Sequence, residues 1–177
     1  MTTTIGTARA SGDRYSLDLE RVYATTVEDV WDAVTQADRL ARWMAPYRGD
    51  LRLGGRWEAL NDDGTVFSWG TITECEAPHR YVTTWEYEGE ETSVITVTVE
   101  EHPDGALLRL VHEGLADAGY AAGWQTYFEQ LDETLPVGPS SVVDPDRPPG
   151  IAWDDRFAEL REAWRPELAR VRGTAGA

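Results

Sequence analysis

The stretch Tyr120–Leu135, YAAGWQTYFEQLDETL, decides the fold. Tyr120, Trp124, Tyr127, Phe128, Leu131 and Leu135 fall at i, i+4, i+7, i+8, i+11 and i+15, which is one face of a helix running from Asp117 to Leu135. A stripe this wide and aromatic must lie against an apolar surface, and upstream of it the chain offers a sheet. Thr92–Glu101 is rich in Val, Ile and Thr, and Ala106–Glu113 returns from it across the turn His102-Pro103-Asp104-Gly105. Tyr47–Leu53, Arg56–Leu60, Val66–Glu76 and His79–Tyr87 precede them, separated by short turns, so the pattern predicts an antiparallel meander of six strands. Gly70, in the middle of its strand, suggests a bulge or bend.

Further upstream, Tyr15, Leu17 and Leu19 alternate with polar residues and predict a strand that reaches about Ala24. Thr26 followed by Asp29 has the form of a helix N-cap, and Val27, Val30, Trp31 and Val34 form one helical face behind it. A second short helix carries Leu40, Trp43 and Met44 and ends at Pro46. Met1–Arg14 is small and polar and is expected to be mobile. Residues 136–150 are dense in proline and glycine and form a linker or surface arm. Residues 151–177 regain helical period through Phe157, Leu160, Trp164, Leu168 and Val171, with Pro166 expected to kink or restart that helix. Such a stripe either packs back on the domain or pairs with a second copy as a homodimer.

Composition narrows the function classes. A chain of 177 residues is one domain with an appendage, large enough for a core without staples. The formal charge of −16 argues against nucleic acid and anionic membrane surfaces as partners. The single Cys75 forms no internal disulfide and fits a reducing cytoplasm. No signal peptide or spanning helix is expected. There is no lysine, which removes a Schiff base or a P-loop lysine. Neither HExxH nor G-x-S-x-G occurs, no dinucleotide fingerprint is present, and no metal or cofactor is expected. Eight tryptophans remain to be explained, each able to remove roughly 150–250 Å² from water. Such rings fill a solid core or line a hollow one.

In their order and spacing, Val30-Trp31, Trp43, Gly54-Gly55, Gly70, Trp85, His112-Glu113-Gly114 and Gly123-Trp124 resemble the Aha-type family related to activators of the ninety-kilodalton heat-shock protein ATPase. That family lies in the START-like, or SRPBCC, superfamily. The resemblance covers roughly Tyr15–Leu135, leaving residues 136–177 as an addition. It implies an α+β helix-grip (Bet v-like) fold, a curved antiparallel sheet wrapped around the long helix with a cavity between them. It further implies a small hydrophobic molecule as ligand. Trp124, Tyr127, Phe128 and Leu131 then form one wall, and Trp57, Trp69, Tyr81, Trp85 and His112 the other. Trp43 and Met44 stand near the mouth.

Two other readings stay open. One is a cyclase- or hydrolase-type enzyme in the same cavity, with His112 or Tyr81 as general acid or base assisted by Arg56 or Glu58. Against it, a lone histidine on an apolar face is more often a hydrogen-bonded core residue, and Arg56 and Glu58 more naturally form a solvent-side pair. The other is an interaction protein acting on a chaperone. Against that stands the short segment before the first strand, which leaves no room for a further N-terminal client-binding domain.

Overall fold

A computed structural model describes residues 2–174. The chain opens with β1 (Thr7–Ser11) and β2 (Arg14–Tyr23), then passes through α1 (Val27–Thr35) and α2 (Ala37–Leu40). The meander follows as β3 (Tyr47–Gly49), β4 (Arg56–Leu60), β5 (Val66–Glu76), β6 (Arg80–Tyr87), β7 (Ser93–His102) and β8 (Gly105–Leu115). Two helices, α3 (Tyr120–Leu131) and α4 (Trp153–Thr174), complete it. All eight strands join in one antiparallel order, β1-β2-β8-β7-β6-β5-β4-β3. The two short helices carry the chain from β2 to the far edge, and the meander walks back until β8 lies beside β2. With α3 across the concave side, this is the helix-grip architecture.

Local chemistry accounts for the elements. In β7, Ser93, Ile95, Val97 and Val99 point inward while Val94 and Glu100 face out; in β8, Ala106, Leu108, Leu110 and His112 do the same. The Thr26 hydroxyl accepts the Asp29 N–H at 3.2 Å and caps α1, which buries Val27, Val30, Trp31, Ala33 and Val34. Register slips between Ala59 and Leu60 and between Ile72 and Glu74 bend the sheet.

Gly70 is not one of these irregularities. It lies in register opposite Trp57, and a Cβ there would come within 2.0 Å of the Thr84 carbonyl oxygen and 2.7 Å of the Trp57 ring. The glycine makes room for the indole.

The ends of the chain depart from expectation. The mobile arm foreseen through Arg14 is instead β1, paired with β2 from Thr7 to Ser11, and Ile5 is buried. Its alternation is built on Ala8 and Ala10, small residues of weak strand preference, which kept it silent in the pattern. β3 stops at Gly49 rather than Leu53, because φ there is +101° and the chain turns back. The following loop is tied to β5: Gly54 N–H donates to the Ile72 carbonyl at 2.8 Å, and Ile72 N–H to the Gly55 carbonyl at 3.0 Å. Pro166 does not interrupt α4. Pro166 and Glu162 are both exposed, so the Glu162 carbonyl that loses its partner faces water.

The extension packs on its own chain. Residues 136–141 run beside the end of β2, with Ala24 N–H on the Pro136 carbonyl at 2.8 Å and Gly138 N–H on the Val22 carbonyl at 2.7 Å. Leu160 and Trp164 are fully buried and Val171 nearly so; Phe157 and Leu168 are half-buried.

Beneath α4, the polar face of α3 is buried too. The Arg156 guanidinium donates to both Glu129 oxygens at 2.6 and 3.0 Å, to Asp144 at 2.6 Å and to Glu159 at 2.9 Å. Burial opposes its charge, but these bonds outweigh that and raise its pKa. Gln125 accepts from Ile5 N–H at 3.1 Å and Trp164 Nε1 at 2.8 Å, and donates to the Thr3 carbonyl at 2.7 Å and Glu129 at 3.0 Å. One turn on, Asp132 accepts from Arg21 Nε and the Tyr23 hydroxyl, each at 3.0 Å, and from Arg147.

Breaking a buried pair strands the remaining charge. Arg156→Ala is therefore expected to lower stability by about 3–5 kcal/mol in chemical denaturation, whereas a conservative change at the exposed Arg165 stays within about 0.5 kcal/mol. Deletion of residues 136–177 leaves Glu129 and Asp132 without their arginine partners from the extension and bares the outer side of α3. Sedimentation is expected to show the truncated chain aggregating.

Candidate ligand cavity

A cavity of about 460 Å³ lies between the concave face of the sheet, α3 and the two short helices. Ile95 and Val97 of β7 and Leu108 and Leu110 of β8 form its floor; Trp57, Ile72 and Trp85 form a side; Trp124 and Phe128 of α3 form the roof. Lining residues that solvent reaches, among them Gln36, Ala37, Arg52, Leu53 and Ala77, mark its opening beside α2, and Trp43 and Met44 of the following turn line it there.

The rings are fixed by one another and by their N–H groups. Tyr47, Trp57, Trp85 and Trp124 make a continuous run, with centroids 5.3, 5.7 and 5.5 Å apart in succession. Trp57 Nε1 donates to the Thr83 hydroxyl at 2.7 Å, Trp43 Nε1 to the Ala33 carbonyl at 2.9 Å, and Trp124 Nε1 to His112 Nδ1 at 3.0 Å. These indoles spend their donors on the protein, so what they turn to the cavity is carbon.

Of the residues expected at the site, Trp43, Met44, Trp57, Tyr81, Trp85, Trp124 and Phe128 meet around the cavity. Trp69, His112, Tyr127 and Leu131 are not among its lining. Trp69 is on the opposite side of β5, its Nε1 bonded to Glu86 at 2.7 Å. The inward positions of that strand are Ser68, Gly70 and Ile72, and at Gly70 the Trp57 ring leaves no room for a side chain. Tyr127 turns toward the extension, its ring 5.7 Å from that of Trp153. Leu131 is fully buried in the core beyond the cavity. Arg56 is exposed, and Glu58 pairs across strands with Arg48 at 2.5 Å, outside the cavity.

His112 is fully buried and bonded at both nitrogens. Nδ1 accepts from Trp124, which leaves the proton on Nε2; that group donates to the Ser93 hydroxyl at 2.7 Å, and Ser93 reaches the Trp85 carbonyl at 3.4 Å. Burial lowers its pKa to about 3. The imidazole is a neutral pin between β7, β8 and α3 with no nitrogen left for proton transfer.

Trp31, Tyr47 and Cys75 are among the lining residues that escaped the sequence pattern as site residues. For Cys75 the reason is specific. Strict alternation from Ile72 would point it outward, and the extra residue at the Ile72–Glu74 bulge brings it in. Among the described residues, no group of His, Cys, Asp and Glu is arranged to hold a metal ion, and no helix is long and apolar enough to cross a membrane.

Because the folded pKa of His112 lies below that of an unfolded histidine, the unfolded chain binds the additional proton as pH falls below about 6.5. Stability present above that pH is lost on the way down toward pH 3, with a slope approaching about 1.4 kcal/mol per pH unit. Urea midpoints measured against pH are expected to show this component in the native chain and to lack it in His112→Gln.

Comparison with known proteins places this arrangement. The family model described as Activator of Hsp90 ATPase homolog 1-like protein matches residues 24–136, from the end of β2 past α3. No curated protein matches the chain. The crystal structure of CalU16 from Micromonospora echinospora is similar at 25% identity and a TM-score of 0.70, over 96% of this chain and 99% of that one. EF2215 from Enterococcus faecalis, a conserved protein of unknown function, superposes at a TM-score of 0.69 with 17% identity, over 94% of this chain and 91% of that one. PFC0360w from Plasmodium falciparum, described as an HSP90 activator, shares the fold at 21% identity and a TM-score of 0.59, over 69% of this chain and 98% of its own. The first two alignments reach into the extension.

Proposed function

The chain belongs to the Activator of Hsp90 ATPase homolog 1-like family, within the START-like superfamily, and on that premise we propose that it binds a small hydrophobic molecule in the space between its sheet and α3. The observation that carries this reading is the cavity itself: about 460 Å³, walled by aromatic rings over an aliphatic floor, with an opening beside α2. Its size falls within the range of about 300–1,000 Å³ typical of small-molecule sites. A solid core of this composition would have interdigitated its rings; here they meet in tilted and T-shaped contacts beside a gap.

An enzymatic reading finds less support. His112 has no free nitrogen, and burial holds the Tyr81 phenol far above neutrality, so that group is a donor rather than a base. The family's description carries a second reading, action on a chaperone ATPase.

Ligand occupancy raises stability by mass action, about 2.7 kcal/mol at a hundredfold excess over Kd. A panel of apolar aromatic compounds is expected to raise the melting temperature of the native chain. Val97→Trp, which fills the floor, is expected to abolish the response. No shift across the panel, together with no small molecule in extracts of the purified chain, would remove the proposal. Addition of the chain to purified Hsp90 is expected to leave its ATPase rate unchanged; acceleration would favour the second reading.

A further inference from the structure

The polar atoms of the cavity say more about what enters it. Among the described residues lining it, Arg52 is the single Arg, Lys, His, Asp or Glu. Its side chain is 88% exposed at the mouth and is held by Asp50 at 3.0 and 3.3 Å. An ionised group carried inside would leave water and meet no countercharge. Whatever part of an occupant lies inside is therefore uncharged.

Most lining donors are already engaged. The indole bonds of Trp43, Trp57 and Trp124 are described above. Thr83 accepts from Trp57 and lies within reach of the Thr71 and Thr84 carbonyls at 3.1 and 2.9 Å; the Thr35 hydroxyl donates to the Trp31 carbonyl at 2.7 Å. Two phenols are different. The Tyr47 hydroxyl has the Met44 sulfur as its partner, at 3.2 Å, and a thioether is a weak acceptor. The Tyr81 hydroxyl reaches the Val34 carbonyl only at 3.4 Å, near the limit of a hydrogen bond. Both rings are braced, Tyr47 against Trp57 at 5.3 Å and Tyr81 against Trp31 at 5.8 Å. Burial, with the neighbouring phenols of Tyr81 and Tyr127, raises the Tyr47 pKa, and burial raises that of Tyr81, so both hydroxyls keep their protons.

Resting on the cavity-binding reading, we propose that Tyr47 and Tyr81 supply the hydrogen bonds to a carbonyl oxygen on an otherwise apolar, flat aromatic ligand whose body lies along Trp57, Trp85 and Trp124. A carbonyl oxygen has two lone pairs, accepts more strongly than the Met44 thioether, and can meet the Tyr81 hydroxyl more closely than the Val34 carbonyl does at 3.4 Å. A planar ring system gains edge and face contacts with the indole run beyond the burial of area alone.

Fluorenone and fluorene make a matched pair of probes, of one shape, with and without the carbonyl. In calorimetry or tryptophan quenching with the full chain, fluorenone is expected to bind about tenfold more tightly. In the double variant Tyr47→Phe/Tyr81→Phe, which keeps both rings, fluorenone is expected to fall to the affinity of fluorene while fluorene is unchanged. Equal binding of the two probes to the native chain overturns the donor pair and leaves the cavity reading standing; that comparison needs no variant. A preference that survives in the double variant overturns it as well. If neither probe binds the native chain, the flat aromatic ligand is overturned, while the cavity reading stands or falls on the compound panel and the extracts.

Discussion

The helix α3 can neither drop onto the sheet nor lift away from it, and the chain Trp124–His112–Ser93 is the reason. The imidazole takes a hydrogen bond from the helix and gives one to β7, while its own backbone belongs to β8. Around it, the rings of Trp85, Tyr120 and Trp124 lie 5.9, 5.3 and 5.9 Å from the imidazole, too bulky to slide past one another. The height of the hollow beneath the helix follows from this contact. A histidine that could be protonated easily would be a poor spacer, because its charge would draw water into the seam; burial removes that freedom.

A second constraint works from outside. The face of α3 turned away from the cavity carries Gln125 and Glu129, and Asp132 follows at its end beside Arg21 and Tyr23 of β2, a polar stripe that would suit open solvent. It is covered instead by the extension, and Arg156 and Arg147 complete it. The helix is thus gripped from two sides by different chemistry: aromatic contact and an imidazole below, ion pairs and an amide above. The apolar side carries the fold of the family. The arginines Arg147 and Arg156 of the ionic side lie beyond the span that the family model matches.

How much of this was legible in the order of residues varied with the physics involved. Strong periodicity was readable: Val27 to Val34, Ile95 to Val99, and Trp124 with Phe128 sit where their spacing puts them. Parity along β5 was not. Trp69 looks like a lining residue, since hydrophobicity is the usual sign of inward orientation; here its inward neighbour Gly70 had to be a glycine to admit Trp57 from the adjacent strand. Cys75 was misplaced by a bulge that no local motif announces. β1 was hidden because alanines make a faint alternation. The arginine pairs of the extension were beyond reach for another reason. A carboxylate on a helix face reads as solvated until its partner is known, and Arg156 lies 27 residues from Glu129.

Gln125 joins the two extremities of the described chain at a single amide. Its oxygen holds Ile5 and Trp164, and its nitrogen holds Thr3 and Glu129, so the group has no bonding capacity left over. Neither the leading residues nor the last helix can peel off without disturbing the side chain that secures the other. The chain is closed on itself like a clasp, and fraying at one end is felt at the other as a shared, cooperative loss.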